Sequence, residues 1–287
     1  MLGAAWIAGE AVLPAVAASA NGRLVAIASR DRARAQKMAQ PYAGLRVLDS
    51  YDALLADPSV DAVYIPLVNS LHKHWTLRAM EAGKHVLCEK PLALNATEAE
   101  AMATAAASSG RLLMEAFMYR FQPRIVAFLA SLSEPLYVQA SFGFRLHDPV
   151  NYRLRPELGG GALLDVGCYV VSVARWILGE PSDVFARSRV AGGVDMTTSV
   201  LMQFDSGATA ALFASFESPE EQELTVVTRD AARRIERPFT SRDQADPYQL
   251  MVESYARSVI DGSPAAIPLS ESIANMKVLD RIRVATA

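Results

Sequence analysis

Apolar residues in the first third of the chain come in short unbroken runs separated by stretches of helical spacing. "RLVAIAS" (23–29), "DAVYIPL" (61–67), "HVLCE" (85–89) and "RLLMEAF" (111–117) read as strands buried on both faces. Between them, "RDRARAQKMAQ", "SYDALLADP", "LHKHWTLRAMEAG" and "NATEAEAMATAAASSG" have helical periodicity and stop signals such as Gly83 and Gly110. Alternating β and α units predict a parallel sheet covered by helices. After a further helical stretch at 122–133 the period shortens to two. "LYVQASFGFRL", "DVFARSRVAGG", "TTSVLMQFDSGATAALFASFES" and "ELTVVTRDAARRIERPF" predict an antiparallel or mixed sheet, with Asp205-Ser206-Gly207 as a hairpin turn. Helices are expected at 162–178, around 247–261 and at 269–285. The pattern predicts an α/β chain of two domains, 1–118 with a Rossmann-type parallel sheet and 119–287 with a second α+β sheet.

Composition adds few constraints. A net charge of -3 over 287 residues gives no reason to expect a nucleic-acid or acidic-membrane surface. Two cysteines, Cys88 and Cys168, are too few for a disulfide framework or a structural zinc site. The apolar N-terminus imitates a secretory leader, but no Lys or Arg precedes Arg23, and Glu10 and Pro14 interrupt the run. No stretch is expected to cross a membrane, and the cytoplasm is the expected location.

Chemistry enters at three places. Gly3-x-Ala5-x-x-Ala8 is a version of the glycine fingerprint that lets a strand-to-helix turn approach a pyrophosphate. Only two residues precede Gly3, too few for a whole first strand. At the end of the next strand, where an acid usually holds the ribose hydroxyls, stands "ASRD". Ser29 and Arg30 suit a 2′-phosphate, and Asp31 more naturally caps the following helix, so NADP(H) is favoured with NAD left open. The second place is Glu89-Lys90-Pro91 at the end of an apolar strand, where open α/β sheets gather their chemistry. The third is Asp165 and Tyr169, four apart on a predicted helix after Gly159-Gly160-Gly161. A lysine ammonium near a phenol favours phenolate and makes an acid–base pair. Weaker candidates are Arg120, Tyr152 and Arg153 for substrate hydroxyls. His147 and Asp148 read as a loop, not a metal pair, and His72 and His74 do not share a helix face.

"AGKHVLCEKP" resembles the signature of the glucose–fructose oxidoreductase / inositol dehydrogenase / rhizopine-catabolism (Gfo/Idh/MocA) family. "VYIPLVNSLHKHW", "EAFMYRFQPR", "NYRLRPELGGGALLDVGCYVV" and "NMKVLDRIR" extend the resemblance over essentially the whole chain. It implies a Rossmann domain and a substrate domain on a large, open, mostly antiparallel sheet that pairs subunits into homodimers or homotetramers. It also implies hydride transfer at a hydroxyl carbon of a sugar, polyol or diol, and it requires no metal. Cofactor contacts would come from Gly3, Ala5, Ile7, Ala8, Ser29, Arg30, Pro66, Asn69, His72, Glu89 and Lys90. Substrate contacts would come from Arg120, Arg153, Asp165 and Tyr169. Lys90, Tyr169 and Asp165 would be catalytic, with Pro91 fixing the turn through a cis peptide bond. Tyr169 is assigned the proton, with Lys90 as base an open alternative. Tyrosine at 169 resembles the dihydrodiol dehydrogenase, NADP-dependent xylose dehydrogenase and glucose–fructose oxidoreductase branch. An NAD-linked inositol-type dehydrogenase and a non-catalytic dinucleotide-binding regulator are the competing readings.

Overall fold

The structure, a computed structural model, describes residues 1–242 and 245–286. Its strands are β1 (Ala26–Ala28), β2 (Arg46–Leu48), β3 (Ala62–Ile65), β4 (His85–Cys88), β5 (Leu113–Glu115), β6 (Pro135–Gly143), β7 (Pro181–Ala191), β8 (Val194–Phe204), β9 (Thr209–Ser215), β10 (Glu221–Thr228) and β11 (Ala232–Glu236). Its α-helices are α1 (Leu13–Ala18), α2 (Arg32–Ala39), α3 (Tyr51–Ala56), α4 (His72–Glu81), α5 (Ala96–Ser109), α6 (Pro123–Ala130), α7 (Cys168–Leu178), α8 (Pro247–Asp261) and α9 (Leu269–Thr286).

The chain forms two compact units. The first contains Met1–Ala93, Thr97–Gln122 and, of the described residues, 245–272. Its strands are all parallel: β1 pairs with β2, and β4 lies between β3 and β5. Val86, Leu87 and Cys88 of β4 are buried, as the unbroken apolar run predicted. Leu2 links the two pieces. It bridges to Ala28, and its N–H donates to the Tyr64 carbonyl at 2.9 Å. Beside it, a slot of about 300 Å³ opens between Leu24–Ala26 and Ala62–Val63. The pattern did not show β2, a three-residue edge strand with an exposed or half-exposed face.

Local signals set the helix starts. Ser50 accepts from Ala53 N–H at 3.0 Å to cap α3, and Asp246 accepts from Tyr248 N–H at 2.9 Å before Pro247 to start α8. The helix beginning at Trp6 widens into a π turn over Ala8–Val12 before α1. Pro14, which has no N–H to donate backward, follows directly on that turn.

A single cut near residue 118 does not describe the units, because α8 returns to the first one. Tyr248, Met251, Val252 and Tyr255 are buried there. Asn21 also donates to the Glu253 carbonyl at 2.9 Å. A helix follows whichever surface buries its apolar stripe, whatever its place in the chain.

The second unit contains Leu94–Ala96, 123–242 and, of the described residues, 273–286. Its six-stranded sheet runs β11-β10-β6-β9-β8-β7, antiparallel except where β6 pairs with β9. Asp205-Ser206-Gly207 turns β8 into β9, with Gly207 at φ 85°. One face packs on α7: Val138 and Ala140 of β6 and Ala210, Leu212 and Ala214 of β9 are buried, as are Val170, Val171 and Val173 of α7. Each such valine or leucine contributes about 1.5–3 kcal/mol. The run Pro156–Leu178 is long and apolar enough to cross a membrane, contrary to the expectation that none was. Its apolar window is 83% buried inside the unit, as in the core helix of a soluble fold.

Candidate active site

In the first unit, chemistry collects at the carboxyl ends of the parallel strands. Gly3, at φ 116°, donates to the Ala28 carbonyl at 2.8 Å, a conformation that side-chained residues rarely adopt. Ala8 is fully buried and Ala5 and Ile7 are half-buried, so the small residues of the fingerprint do bring this turn close to the sheet. Ser29 and Arg30 follow β1. The Ser29 hydroxyl accepts from Asp31 N–H at 3.1 Å. The Asp31 carboxylate accepts from Arg34 N–H at 3.0 Å, so it caps α2. Arg30 is exposed and hydrogen-bonded to the Tyr51 phenol, whose pKa burial raises against the opposing pull of that arginine. Tyr51 also lies beside Gly3. A glycine turn, a hydroxyl and an exposed guanidinium, with the nearby acid engaged elsewhere, form a donor set that fits a phosphate-bearing dinucleotide.

The Glu89–Leu92 turn leaves the end of β4, and the Lys90–Pro91 peptide is cis. Side chains from neighbouring strands and helices hold it. Tyr64 of β3 donates to Glu89. Lys90 N–H reaches Glu89 Oε2 at 3.2 Å. Leu92 N–H donates to Glu115 Oε1 at 2.8 Å. His72 Nδ1 lies 2.9 Å from the Pro91 carbonyl and Nε2 lies 2.9 Å from the Leu67 carbonyl. His72 is fully buried, and burial is the largest cause lowering its pKa. His72, expected among the cofactor contacts, ties the two loops together. Pro66 follows β3 half-buried, and Asn69, buried, opens the short turn before α4. Arg120 lies in this unit 3.9 Å from Glu271. Sequence reading missed Glu115, because a glutamate inside an apolar strand carries no sign of which loop it will meet.

In the second unit the structure brings Arg153, Asp165 and Tyr169 together. Arg153 Nε donates to Asp165 Oδ2 at 2.6 Å, and Asp165 is only 6% exposed. Burial, the largest single influence, would lower the Arg153 pKa, but the charge and hydrogen bond of Asp165 with the charges of Tyr152 and Tyr169 together raise it. The guanidinium also lies 4.8 Å from the Tyr152 ring centre. Tyr169, 7% exposed, packs its ring on Phe142 and Phe239 at 5.4 and 5.5 Å. The helix carrying the pair is wound as a π turn over Leu163–Gly167 before α7. Asp148 accepts from Val150 N–H at 3.0 Å, the loop role expected for it.

Steric constraint explains two of the three glycines. A Cβ on Gly160 would overlap the Arg153 carbonyl and lie 2.9 Å from that of Arg155, and one on Gly161 would strike the Asp195 carboxylate. Asp195, another residue the sequence did not announce, accepts from Leu163 N–H at 2.6 Å and from Thr198 at 3.1 Å. Burial raises its pKa against those bonds.

Residues 1–117 match the oxidoreductase family with an NAD-binding Rossmann fold, and 130–232 match the GFO/IDH/MocA C-terminal domain. The chain is a Gfo/Idh/MocA oxidoreductase. It is 40% identical to a D-xylose 1-dehydrogenase (NADP(+)) of Haloferax volcanii, over 98% of this chain and 95% of that one. A 3-ketoreductase from Actinomadura kijaniata, solved with NADP and TDP-benzene, superposes with a TM-score of 0.87 at 29% identity, covering 99% and 96% of the two chains. The aldose-aldose oxidoreductase of Caulobacter crescentus, solved with glycerol, gives a TM-score of 0.92 at 26% identity, covering 99% and 95%.

Gly160→Ala tests the steric account of the glycine triplet. Its neighbours there are backbone atoms that cannot rotate away, so a loss of about 1–3 kcal/mol is expected in urea denaturation. An unchanged midpoint would overturn it.

Proposed function

We propose that this oxidoreductase transfers a hydride between NADP(H) and a hydroxyl or carbonyl carbon of a sugar, polyol or diol. The observation that carries the reading is the anchored Lys90 turn at the carboxyl end of β4, in a chain 40% identical along nearly its whole length to an NADP-dependent xylose dehydrogenase. NADP, when bound, supplies or accepts the hydride. Gly3, Ala5, Ile7 and Ala8 hold its pyrophosphate side, and Ser29 and Arg30 its 2′-phosphate. Pro66, Asn69 and Glu89 shape the nicotinamide end of the loops.

Oxidation of an alcohol requires its proton to leave as the hydride does, so a base must reach that oxygen. Tyr169 takes this proton. The Arg153 guanidinium, whose charge interacts with the phenol, favours phenolate. Asp165 holds Arg153 in place. Arg120 is a further substrate contact.

The open face of the six-stranded sheet carries Phe185 and Leu201, 58% and 59% exposed, beside a groove of about 820 Å³. An apolar face of this kind favours self-association, and we infer a homodimer or homotetramer through it. Sedimentation velocity is expected to show dimer or larger at micromolar concentration, and monomer alone would refute the assembly.

Tyr169→Phe keeps the ring and its packing but removes the proton path. With D-xylose and NADP+ it should lower kcat by about 10²–10⁴-fold at unchanged cofactor affinity, and Lys90→Ala should cost at least as much. Near-full turnover by Tyr169→Phe beside a dead Lys90→Ala would make Lys90 the base, and two active variants would place the chemistry elsewhere. Arg30→Ala should weaken NADP(H) by roughly 1.5–3 kcal/mol in calorimetric titration and leave NAD(H) nearly unchanged. Equal losses would show that Arg30 does not read the 2′-phosphate.

A further inference from the structure

Each anchor of the Lys90 turn has an evident reason to be the residue it is, except Glu115. The Leu92 N–H needs an acceptor, which a glutamine would supply equally well, yet a carboxyl stands there 1% exposed. Its second oxygen, Oε2, is buried without a well-formed hydrogen bond among the described residues, although the Ser272 hydroxyl is near enough to favour the ionised form. A buried carboxyl with a free oxygen is costly, and such groups persist where their charge is used.

The register of the sheet shows what that charge faces. Glu115 pairs with Cys88, and the chain leaves Cys88 directly into Glu89 and Lys90. Four groups bear on the carboxyl: Glu89 and Lys90 by their charges, the Leu92 N–H by a hydrogen bond and the Ser272 hydroxyl by its nearness. Cys88 feels the Glu115 charge in turn, and His72, on the far side of Pro91, feels Lys90. Lys90 is thus the only positive side chain acting on Glu115 within this group.

We propose that Glu115 is a positioning residue that acts on Lys90 in two ways, holding the turn through Leu92 and providing, when ionised, a buried counter-charge that keeps the Lys90 ammonium protonated. The proposal rests on the assignment of Lys90 to the reaction. Burial, aided by Glu89, raises the Glu115 pKa to about 7, against the pull of Ser272, Leu92 and Lys90. Below that pH the carboxyl is neutral and Lys90 loses this counter-charge. As pH rises through about 7 the carboxylate forms and the ammonium is held more firmly, so the coupling switches on with rising pH.

The test reads Lys90 directly and needs neither substrate nor turnover. The chain has five lysines, so reductive methylation with ¹³C-formaldehyde gives a resolvable NMR spectrum, with Lys90 assigned by its loss in Lys90→Ala. The Lys90 signal of the wild-type protein should show an inflection near pH 7 before its own titration. Glu115→Gln keeps an acceptor for Leu92 but should abolish that inflection and lower the Lys90 pKa by roughly one unit. Ser272→Ala, which removes a hydroxyl favouring the carboxylate, should move the inflection to higher pH. No inflection in the wild type, or one that persists in Glu115→Gln and so belongs to His72, would overturn the proposal. A normal Glu115 result beside a fully active Lys90→Ala enzyme would instead refute the role of Lys90 while leaving the coupling intact.

Discussion

Strand β4 runs between β3 and β5 in a register that pairs Cys88 with Ile65 on one side and Glu115 on the other, and the first unit's chemistry depends on that alignment. Three parallel strands that end level leave their next residues at one edge of the sheet, facing the same space. The turn after β4 is therefore met from β3 by Tyr64, from β5 by Glu115 and from the head of α4 by His72. A one-residue slip of β5 would turn Glu115 to the opposite face and leave Leu92 N–H without its acceptor.

The second unit reaches a comparable order by steric exclusion. The glycine triplet lets the 153–158 segment lie against the head of the helix, where Gly161 N–H meets the Arg153 carbonyl at 2.9 Å. That backbone contact sets the Arg153 side chain against Asp165, and the π turn carries Asp165, and α7 Tyr169, on the buried side of the unit. Residues without a side chain thus decide where a charged pair forms.

Both clusters work against stability. His72 is pushed toward its neutral form by burial, Glu115 is raised toward protonation, and Asp195 is raised as well. Groups shifted in this way mark structural networks and functional sites alike. Two of the three, His72 and Glu115, hold the turn that carries Lys90.

Much was legible in the residue order because it follows from local physics. Unbroken apolar runs marked β3, β4 and β5, and period-two alternation marked the large sheet. Asp31 was readable as a helix cap, and the Glu-Lys-Pro and glycine-triplet motifs carried the family. Edge strand β2 escaped because an exposed strand leaves no apolar signature. The return of α8 to the first unit escaped because an amphipathic stripe says that a helix is covered but not by what. The roles of His72, Glu115 and Asp195 had to come from the tertiary structure. Each has a partner 19 to 32 positions away along the chain, and only sheet register and helix packing bring those partners within hydrogen-bond reach.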